Sequence, residues 1–467
     1  MARWRSSAGS NRRRAPPRRA AADPANYGFI GLTNPDPAGT NGQGADTDAN
    51  IAGQAVQWLQ RNSKSESPYC LTASFVNPHD KQFFWAGSEA DRYYPTFDGK
   101  PYKPYIAQYS PVPSEENPPS VGYPALPGNW ESYADLVKHG KPDTQQVFRS
   151  FQELIWGGMS DRTQTDFASR PSPCAPRQLG VGIAPSDYWQ RGLDMYTLVQ
   201  TMVDEHIGRV IAAVPHKQLG DTVFVFASDH GEYAGAHGVL SGKIGTAYEE
   251  AIRIPLIVTD PSHRFTKQVQ IPRRQLASSV DLAPMLVTLG NRGDGSWMRG
   301  RYAKIYGERL NLVELLSDPS AAGRDHVLFA TDEILPNAFN YLRAPTHVLA
   351  VRTRDVKLVT YSHWARGTTT PIRATMKLEF YDYATAEGRA ETESRPDDPR
   401  VKPLLTKLLD QYAPTQMEAP LPGSLRATSR RARASYLVFS AATNAYTYSQ
   451  LIGRGQLKTV LGYGESF

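Results

Sequence analysis

The stretch from Thr222 to Pro261, TVFVFASDHGEYAGAHGVLSGKIGTAYEEAIRIPLIVTDP, constrains the fold more than any other part of this chain. It opens with a continuous β-branched and aromatic run, 223–226, which predicts a buried strand of a parallel sheet. The run stops just before Asp229 and His230, and a second apolar run follows at 254–258. Because ligands in open α/β sheets bind at the carboxyl ends of strands, this pattern predicts an α/β domain with a functional site after the first run.

Four side chains in this stretch are candidates for chemistry. Asp229 and His230 form a plausible two-ligand half-site for a divalent ion, and His237 and Lys243 follow in a glycine-rich loop. Each has an ordinary structural interpretation as well. An Asp at a strand end often caps the next helix, and a lone His is often a hydrogen-bonded loop residue. The combination between two strand-like runs is more specific than any one residue.

The segments SDHGE, GAHG, Lys243 and YEEAIRIPLIV together resemble the sulfatase family of the alkaline-phosphatase superfamily. The resemblance implies that Asp229 and His230 bind the active-site metal and that Lys243 contacts the sulfate. It implies an α/β fold with a doubly wound mixed sheet sandwiched by helices, and a smaller C-terminal α+β antiparallel subdomain. A divalent ion and an ammonium are suited to the charge that develops during ester hydrolysis.

A second segment contributes to the predicted site. Residues 68–76, PYCLTASFV, show a strand pattern that ends in Asn77-Pro78-His79-Asp80. In sulfatases a similar strand closes on a turn whose His contacts the sulfate and helps to protonate the leaving oxygen, and His79 matches that position. We therefore expect His79 and Lys243 to be catalytic, and His79, Lys243 and His237 to bind the substrate.

The resemblance also implies a divalent metal cofactor. Sulfatases use calcium, often with Asn at the position of His230. An imidazole suits manganese or zinc better than calcium, so these two metals are alternatives here.

Composition and charge indicate which cellular compartment and which kinds of partner this chain is suited to. The sequence contains only two cysteines, Cys70 and Cys174, so no disulfide framework is expected. It shows no apolar run of membrane-spanning length and no secretory signal, which favours a cytoplasmic protein. Seven Arg in residues 1–20 account for the net charge of +6, since the rest of the chain has 45 basic and 46 acidic residues. We interpret this arm as a disordered tail, and expect neither nucleic-acid nor membrane partners.

The pattern along the chain predicts four parts. Residues 1–26 form the basic arm, and 27–320 form the sulfatase-like α/β domain, in which 81–185 are an insertion of loops and short helices. A helix spans 188–214, since apolar residues recur there at spacings of three and four. Residues 321–412 form the C-terminal α+β subdomain, and 413–467 are a tail.

Two expected motifs do not occur in this sequence. Sulfatases carry paired Asp metal ligands, followed by a Cys-x-Pro-x-Arg or Ser-x-Pro-x-Arg motif that provides the formylglycine nucleophile, both before the Asn-Pro-His turn. The segment Pro173-Cys174-Ala175-Pro176-Arg177 is one residue short of that motif and lies after His79. We therefore expect an N-terminally truncated domain with impaired activity, and interpret Cys174 as structural.

Three functions remain open. The first is a sulfatase-like hydrolase of small-molecule sulfate esters. The second is a phosphonate or phosphate ester hydrolase of the same superfamily. The third is an inactive, truncated product that only binds anions.

Overall fold

The computed structural model describes a large part of the chain, in these ranges: 43–83, 96–97, 100–101, 118–122, 126–161, 165–171, 174, 179–243, 245–333, 344–345, 347–363, 371–417, 423–428, 430–431 and 434. The predicted basic arm, 1–26, lies outside these ranges, as does most of the predicted tail. Among the described residues, no helix combines the length and apolar character that crossing a bilayer requires.

The first described element is helix α1, Gln43–Arg61. Asp48 lies inside this helix. Its carboxylate is buried and accepts the backbone N–H groups of Val76 (2.8 Å) and Asn77 (3.0 Å). These two hydrogen bonds hold the end of the segment 69–76 against helix α1.

The predicted strand at 68–76 is not formed. The segment is extended, with half-buried and exposed residues alternating over 69–74, but it belongs to no sheet of the described residues. Its strand-like alternation is real, because one set of side chains faces the protein. A strand also requires a backbone partner, and the sequence pattern carries no information about that partner. A short 3₁₀ helix, His79–Phe83, follows directly.

The region predicted as loops and short helices contains a sheet. Helices α2, Tyr133–Lys138, and α3, Asp143–Trp156, lie within it. Its sheet is built from five short strands: β1 Thr96–Phe97, β2 Lys100–Pro101, β3 Gly158–Met159, β4 Ala168–Pro171 and β5 Leu179–Ala184. β5 pairs with β1 and β4 in antiparallel fashion and with β3 in parallel. These strands have two to six residues, too few for periodicity to reveal them.

The predicted long helix is present as α4, Tyr188–Ala212, followed by the short helix α5, His216–Leu219. The N-terminal part of α4 is buried in a core with Trp130, Met159 and Leu240. This packing places α4 next to the loop that follows the strand β6, Phe224–Ala227.

β6 differs from the expected buried parallel strand. After helix α6, Glu249–Ile252, the chain returns as β7, Leu256–Thr259, which pairs with β6 in antiparallel register. Val225 and Val258 face a core formed with helices α7, Leu282–Gly290, and α9, Leu312–Ser317; the short helix α8, Ala303–Tyr306, lies between these two in sequence.

The opposite face of this two-stranded ribbon carries Phe226 and Ile257, whose residues are 42% and 57% exposed. The apolar character of the run therefore does not produce burial among the described residues.

The C-terminal part has the predicted antiparallel sheet. Its four strands, in the order β11-β10-β9-β8, are β8 His326–Asp332, β9 His347–Thr353, β10 Val356–Ser362 and β11 Lys377–Asp382. Helix α10, Ala386–Arg389, follows β11, and helix α11, Val401–Lys407, continues as a π-helix over Leu408–Met417. One face of the sheet packs on α11 and the other on α3, so a single core joins this sheet to the inserted region.

Candidate active site

Asp229 and His230 follow β6 directly, at the position that the sequence predicts for the metal ligands. Asp229 Oδ2 and His230 Nε2 lie 3.5 Å apart, and the side chains are 85% and 40% exposed. Asp229 Oδ1 accepts the backbone N–H of His230 at 2.9 Å. The pair thus projects into solvent from a short, hydrogen-bonded turn.

The donor chemistry of this pair fits a divalent cation. His230 Nδ1 lies 2.9 Å from the carbonyl oxygen of Gly231, to which it donates. This bond fixes the ring orientation and leaves the lone pair on Nε2, as in histidines that bind metals. Nε2 and Asp229 Oδ2 are close enough to share one ion. Two ligands do not fill a coordination sphere, so other donors must complete it.

Gly231 fixes the turn against helix α6. Its N–H donates to the carbonyl of Ala251 at 2.9 Å, and a Cβ at this position would lie 2.0 Å from the carbonyl oxygen of Glu250. Only glycine permits this approach. The Asp229–His230 turn is therefore held by backbone contact with the helix that precedes β7.

Lys81 and Glu232 connect the two segments of the predicted site. Lys81 Nζ is buried, contacts Glu232 Oε1 at 3.3 Å and donates to the carbonyl of Leu240. Glu232 Oε1 also accepts the N–H of Gly242 at 2.8 Å. Desolvation by burial lowers the pKa of Lys81, and the charge of Glu232 opposes that shift.

This connection brings three short stretches of chain together. Lys81 lies two residues after His79, Glu232 lies two residues after His230, and Gly242 precedes Lys243. The His79 side chain is mostly buried: its ring contacts Gln82 and lies 3.6 Å from Asp80 Oδ1. Lys243 is half-buried. The turn with His79 therefore packs beside the loops that carry Asp229, His230 and Lys243.

His237 lies in a different environment from the other predicted residues. Its ring is buried and stacked on Tyr248, with ring centroids 3.8 Å apart. Nδ1 faces Glu131 Oε2 at 2.7 Å, and Nε2 faces Glu250 Oε2 at 3.3 Å. Two carboxylates around a buried ring disfavour a sulfate or phosphate anion, so this geometry does not support the hypothesis that His237 binds the substrate.

The partners of His237 were not identified from the sequence. Glu131 is buried and also contacts His139 (2.7 Å) and Lys141. Burial alone would raise the pKa of Glu131, but the hydrogen bond from His237 and the charge of Lys141 outweigh it and hold this pKa below its usual value. Glu131 and His237 are separated by 106 positions. The sequence contains a signal only for Glu250, within the YEE segment.

Both cysteines are free thiols in the structure. Cys174 is partly buried and packs against the core that joins α3 to the C-terminal sheet. Cys70 is exposed as a residue, but neighbouring atoms partly desolvate its thiol, which raises its pKa. A raised pKa disfavours the thiolate that a nucleophile requires.

The chain belongs to the sulfatase family, since a family model described as Sulfatase matches residues 10–291, more than half of the 467 residues. Among similar proteins is the uncharacterized sulfatase YidJ of Escherichia coli, 33% identical over 136 residues, which are 28% of this chain and 26% of YidJ. An arylsulfatase of Volvox carteri is 26% identical over 206 residues, 41% of this chain and 29% of the relative. The alignments thus span about a quarter to a third of these relatives.

Solved structures show the same fold. A crystal structure described as a putative sulfatase from Bacteroides thetaiotaomicron superposes with a TM-score of 0.51 at 17% identity, covering 82% of this chain and 67% of that one. A 2-O GAG sulfatase superposes with a TM-score of 0.50 at 17% identity, covering 82% and 66%. The protein therefore has the alkaline-phosphatase-like α/β fold with a C-terminal antiparallel sheet, as the sequence resemblance implied. The sulfatase family is generally metal-dependent.

Proposed function

We propose that this chain carries the metal-binding and leaving-group side of a sulfatase active site and acts on small-molecule sulfate esters. The observation that carries the proposal is the Lys81–Glu232 contact. It joins the turn of His79 to the loops of Asp229, His230 and Lys243. Without it, the motifs would be separate features of the sequence.

Each residue has a distinct role in this proposal. Asp229 and His230 hold a divalent ion, which neutralises charge on the ester oxygens when it is bound. The Lys243 ammonium stabilises the non-bridging oxygens of the sulfate as charge develops on them. The His79 imidazole donates a proton to the leaving oxygen. His237 has no substrate contact in this scheme.

The nucleophile is not assigned. The sequence contains no Cys-x-Pro-x-Arg or Ser-x-Pro-x-Arg, and Cys174 packs against the core. We therefore expect this chain to turn over sulfate esters slowly, because loss of a nucleophile costs orders of magnitude in rate.

A phosphonate or phosphate ester hydrolase is the second candidate. The imidazole of His230 favours manganese or zinc over calcium as the bound metal. A multifunctional alkaline phosphatase superfamily protein, PehA of Trinickia caryophylli, is 37% identical over 89 residues, 19% of this chain and 16% of PehA. A paired assay distinguishes this candidate from a sulfatase.

The test measures hydrolysis of p-nitrophenyl sulfate and of phenyl p-nitrophenylphosphonate by the purified chain, with Ca²⁺, Mn²⁺ or Zn²⁺ added. We expect Lys243→Ala and His79→Ala to lower kcat/KM by about 10²–10³. The exposed residues Lys217 and His216 supply matched controls, Lys217→Ala and His216→Ala, which leave the rate unchanged. Equal rates for Lys243→Ala and Lys217→Ala contradict the site assignment.

If neither ester is hydrolysed, a sulfate-binding measurement tests the third hypothesis, an inactive product that only binds anions. Sulfate binding that Lys243→Ala abolishes supports a product that only binds anions. An absence of sulfate binding rejects the site altogether.

A further inference from the structure

His237, Glu250 and Glu391 each present one potential ligand atom to the same small volume. These three atoms, a ring nitrogen and two carboxylate oxygens, lie within 4.8 Å of one another. His237 lies in the loop after β6, and Glu250 lies in α6, which follows that loop. Glu391 follows α10 in the C-terminal part. We propose that these three residues form a second divalent-cation site, of the imidazole–carboxylate class that takes manganese or zinc.

The orientation of His237 makes Nε2 the ligand atom. Nδ1 lies 2.7 Å from Glu131 Oε2, to which it donates, and 3.2 Å from Lys141 Nζ. A carboxylate behind the far nitrogen is the arrangement that orients metal-binding histidines. Nε2 then lies 3.3 Å from Glu250 Oε2 and 3.3 Å from Asn129 Nδ2. A separation of about 3.3 Å between a nitrogen and an oxygen is also that of two ligands on one tetrahedral zinc.

Glu250 lacks the cation that the neighbouring carboxylates have. Lys141 pairs with Glu131, Lys357 with Glu391, and Arg352 lies 3.7 Å from Glu249. Among the described residues, the only ion-pair contact of Glu250 is the His237 ring, and Asn129 Nδ2 donates to its Oε1 at 2.5 Å. A half-buried carboxylate without a lysine or arginine is suited to bind a metal.

Glu391 has a lone pair available for the third bond. Its Oε1 contacts Lys357 and the Tyr383 hydroxyl (2.7 Å), and its Oε2 accepts the N–H of Glu249 at 2.8 Å. A carboxylate oxygen accepts two hydrogen bonds or ligand bonds, so Oε2 retains one position in the described structure. The three existing contacts fix the side chain in place.

An unsatisfied hydroxyl provides an independent observation. Tyr233 is 2% exposed and its Oη has no hydrogen-bond partner. Its ring packs edge-on against that of Tyr248, with centroids 6.1 Å apart, and Tyr248 stacks on His237. Buried hydroxyls nearly always have partners. A water ligand of a cation held by Glu250 and Glu391 would supply one.

The site would connect α6 to the C-terminal part of the chain. Glu250 belongs to α6, whose backbone contacts the turn of Gly231, while Glu391 belongs to the C-terminal part. A bound cation would therefore hold the Asp229–His230 turn to the C-terminal part.

The test uses the full chain with the double substitution Asp229→Ala/His230→Ala, which removes the ligands of the candidate active site. After treatment with a chelator, Mn²⁺ and Zn²⁺ binding is measured by calorimetry and by elemental analysis. We expect one equivalent of metal and a higher Tm with metal. A further Glu250→Gln or His237→Asn substitution lowers the affinity at least tenfold. His139→Gln, which loses only the outer contact to Glu131, retains the equivalent.

Three results overturn the proposal. The first is a folded double variant that binds neither metal. The second is metal binding that Glu250→Gln and His237→Asn leave unchanged. The third is a proton that persists on Nε2 of His237 in ¹⁵N spectra at saturating metal, because a protonated ring nitrogen does not bind the metal. The assay requires no ester hydrolysis, so failure of the proposed function and failure of this site are distinguishable.

Discussion

Glu379 shows how a buried carboxylate is retained although no cation among the described residues forms an ion pair with it. It lies on β11 and accepts hydrogen bonds from the hydroxyls of Tyr361 (2.7 Å) and Tyr248 (3.3 Å). Burial raises its pKa above the usual 4.5; the charge of Glu391 adds to that shift, and Lys141 and Lys357 oppose it. Neutral hydroxyl donors satisfy its oxygens but do not neutralise its charge.

The raised pKa of Glu379 makes stability depend on pH. In the unfolded chain this carboxyl ionises near 4.5, whereas in the folded chain it keeps its proton to higher pH. The free energy of unfolding therefore decreases as pH rises above 4.5, by about 1.4 kcal/mol for each unit by which the pKa is raised. We expect Glu379→Gln to remove this decrease, so that the variant gains stability relative to the natural chain between pH 4 and 8. Urea unfolding at several pH values measures the difference.

The control for this prediction is Glu387→Gln, because Glu387 is exposed in the same part of the chain. Its unfolding free energy should follow that of the natural chain at every pH. Curves for Glu379→Gln that run parallel to the natural chain across the range would show that Glu379 ionises normally in the folded state.

The difference between Asp229 and His237 also belongs to the scale of single residues. Both lie in the same glycine-rich stretch, and both are predicted from the sequence to be functional residues. In the structure Asp229 is exposed, while the backbone of His237 adopts φ 53° and its ring is enclosed by Glu131, Glu250 and Tyr248. Residue type and spacing do not determine which side of a loop a side chain takes.

At the level of elements, the His79 turn and the loop after β6 are held together by one buried ion pair. Lys81 is completely buried, and its contacts with Glu232 and the Leu240 carbonyl join segments that are about 150 residues apart. A buried charge without its partner is costly, often by about 3–5 kcal/mol. This pair therefore joins the 3₁₀ helix His79–Phe83 to the loop after β6.

We expect Lys81→Met to lower the free energy of unfolding by about 3–5 kcal/mol, because it leaves Glu232 without its cation. The double variant Lys81→Met/Glu232→Gln should recover part of that loss, since both charges are then absent. Urea denaturation measures both variants, with Lys64→Met, at an exposed lysine, as the control. A loss below about 1 kcal/mol in the single variant would contradict a structural role for the pair.

The elements that could be predicted from the sequence are those with long repeats. Helix α4 carries a long apolar repeat, and the structure has it at Tyr188–Ala212, close to the predicted 188–214. The antiparallel sheet of the C-terminal part is also present, with strands of six or seven residues. The sheet of β1–β5 was missed because its strands are short and interrupted by Gly and Pro. Residues 69–74 have the alternation of a strand but pair with no strand of the described residues, which shows that pattern alone does not specify pairing.

Across the whole molecule, the β6–β7 ribbon has one covered face and one open face. Val225 and Val258 pack on α7 and α9, while Phe226 and Ile257 are exposed opposite one another. Exposed aromatic and β-branched neighbours are unusual on the surface of a soluble domain and promote association. No element among the described residues covers them.

We expect this face to cause concentration-dependent self-association, which Ile257→Lys reduces by placing a charge at its centre. Sedimentation velocity from low to high protein concentration measures the effect. Val269→Lys is the matched control, since Val269 is comparably exposed elsewhere on the surface. Identical sedimentation of the natural chain and Ile257→Lys would show that the face does not drive association.

The candidate site was predictable only where its residues follow strands or share one motif. Asp229, His230 and Lys243 lie within fifteen residues, and the resemblance adds His79. Glu131, Lys141 and Glu391 belong to the inserted region and the C-terminal part, and only tertiary packing brings them to His237 and the adjoining α6. Since no local pattern accompanies such long-range contacts, the carboxylates around His237 are visible only in three dimensions.

The hydrogen bond from the Glu249 N–H to Glu391 has a consequence for how the protein opens. That amide begins α6, and its acceptor lies after the C-terminal sheet. Its protection against exchange with deuterium should therefore be lost together with that of β10 and β11, and earlier than the protection inside α4. Glu249 itself lies in the sulfatase-like region. Slow exchange of its amide would nevertheless show that the C-terminal sheet is folded.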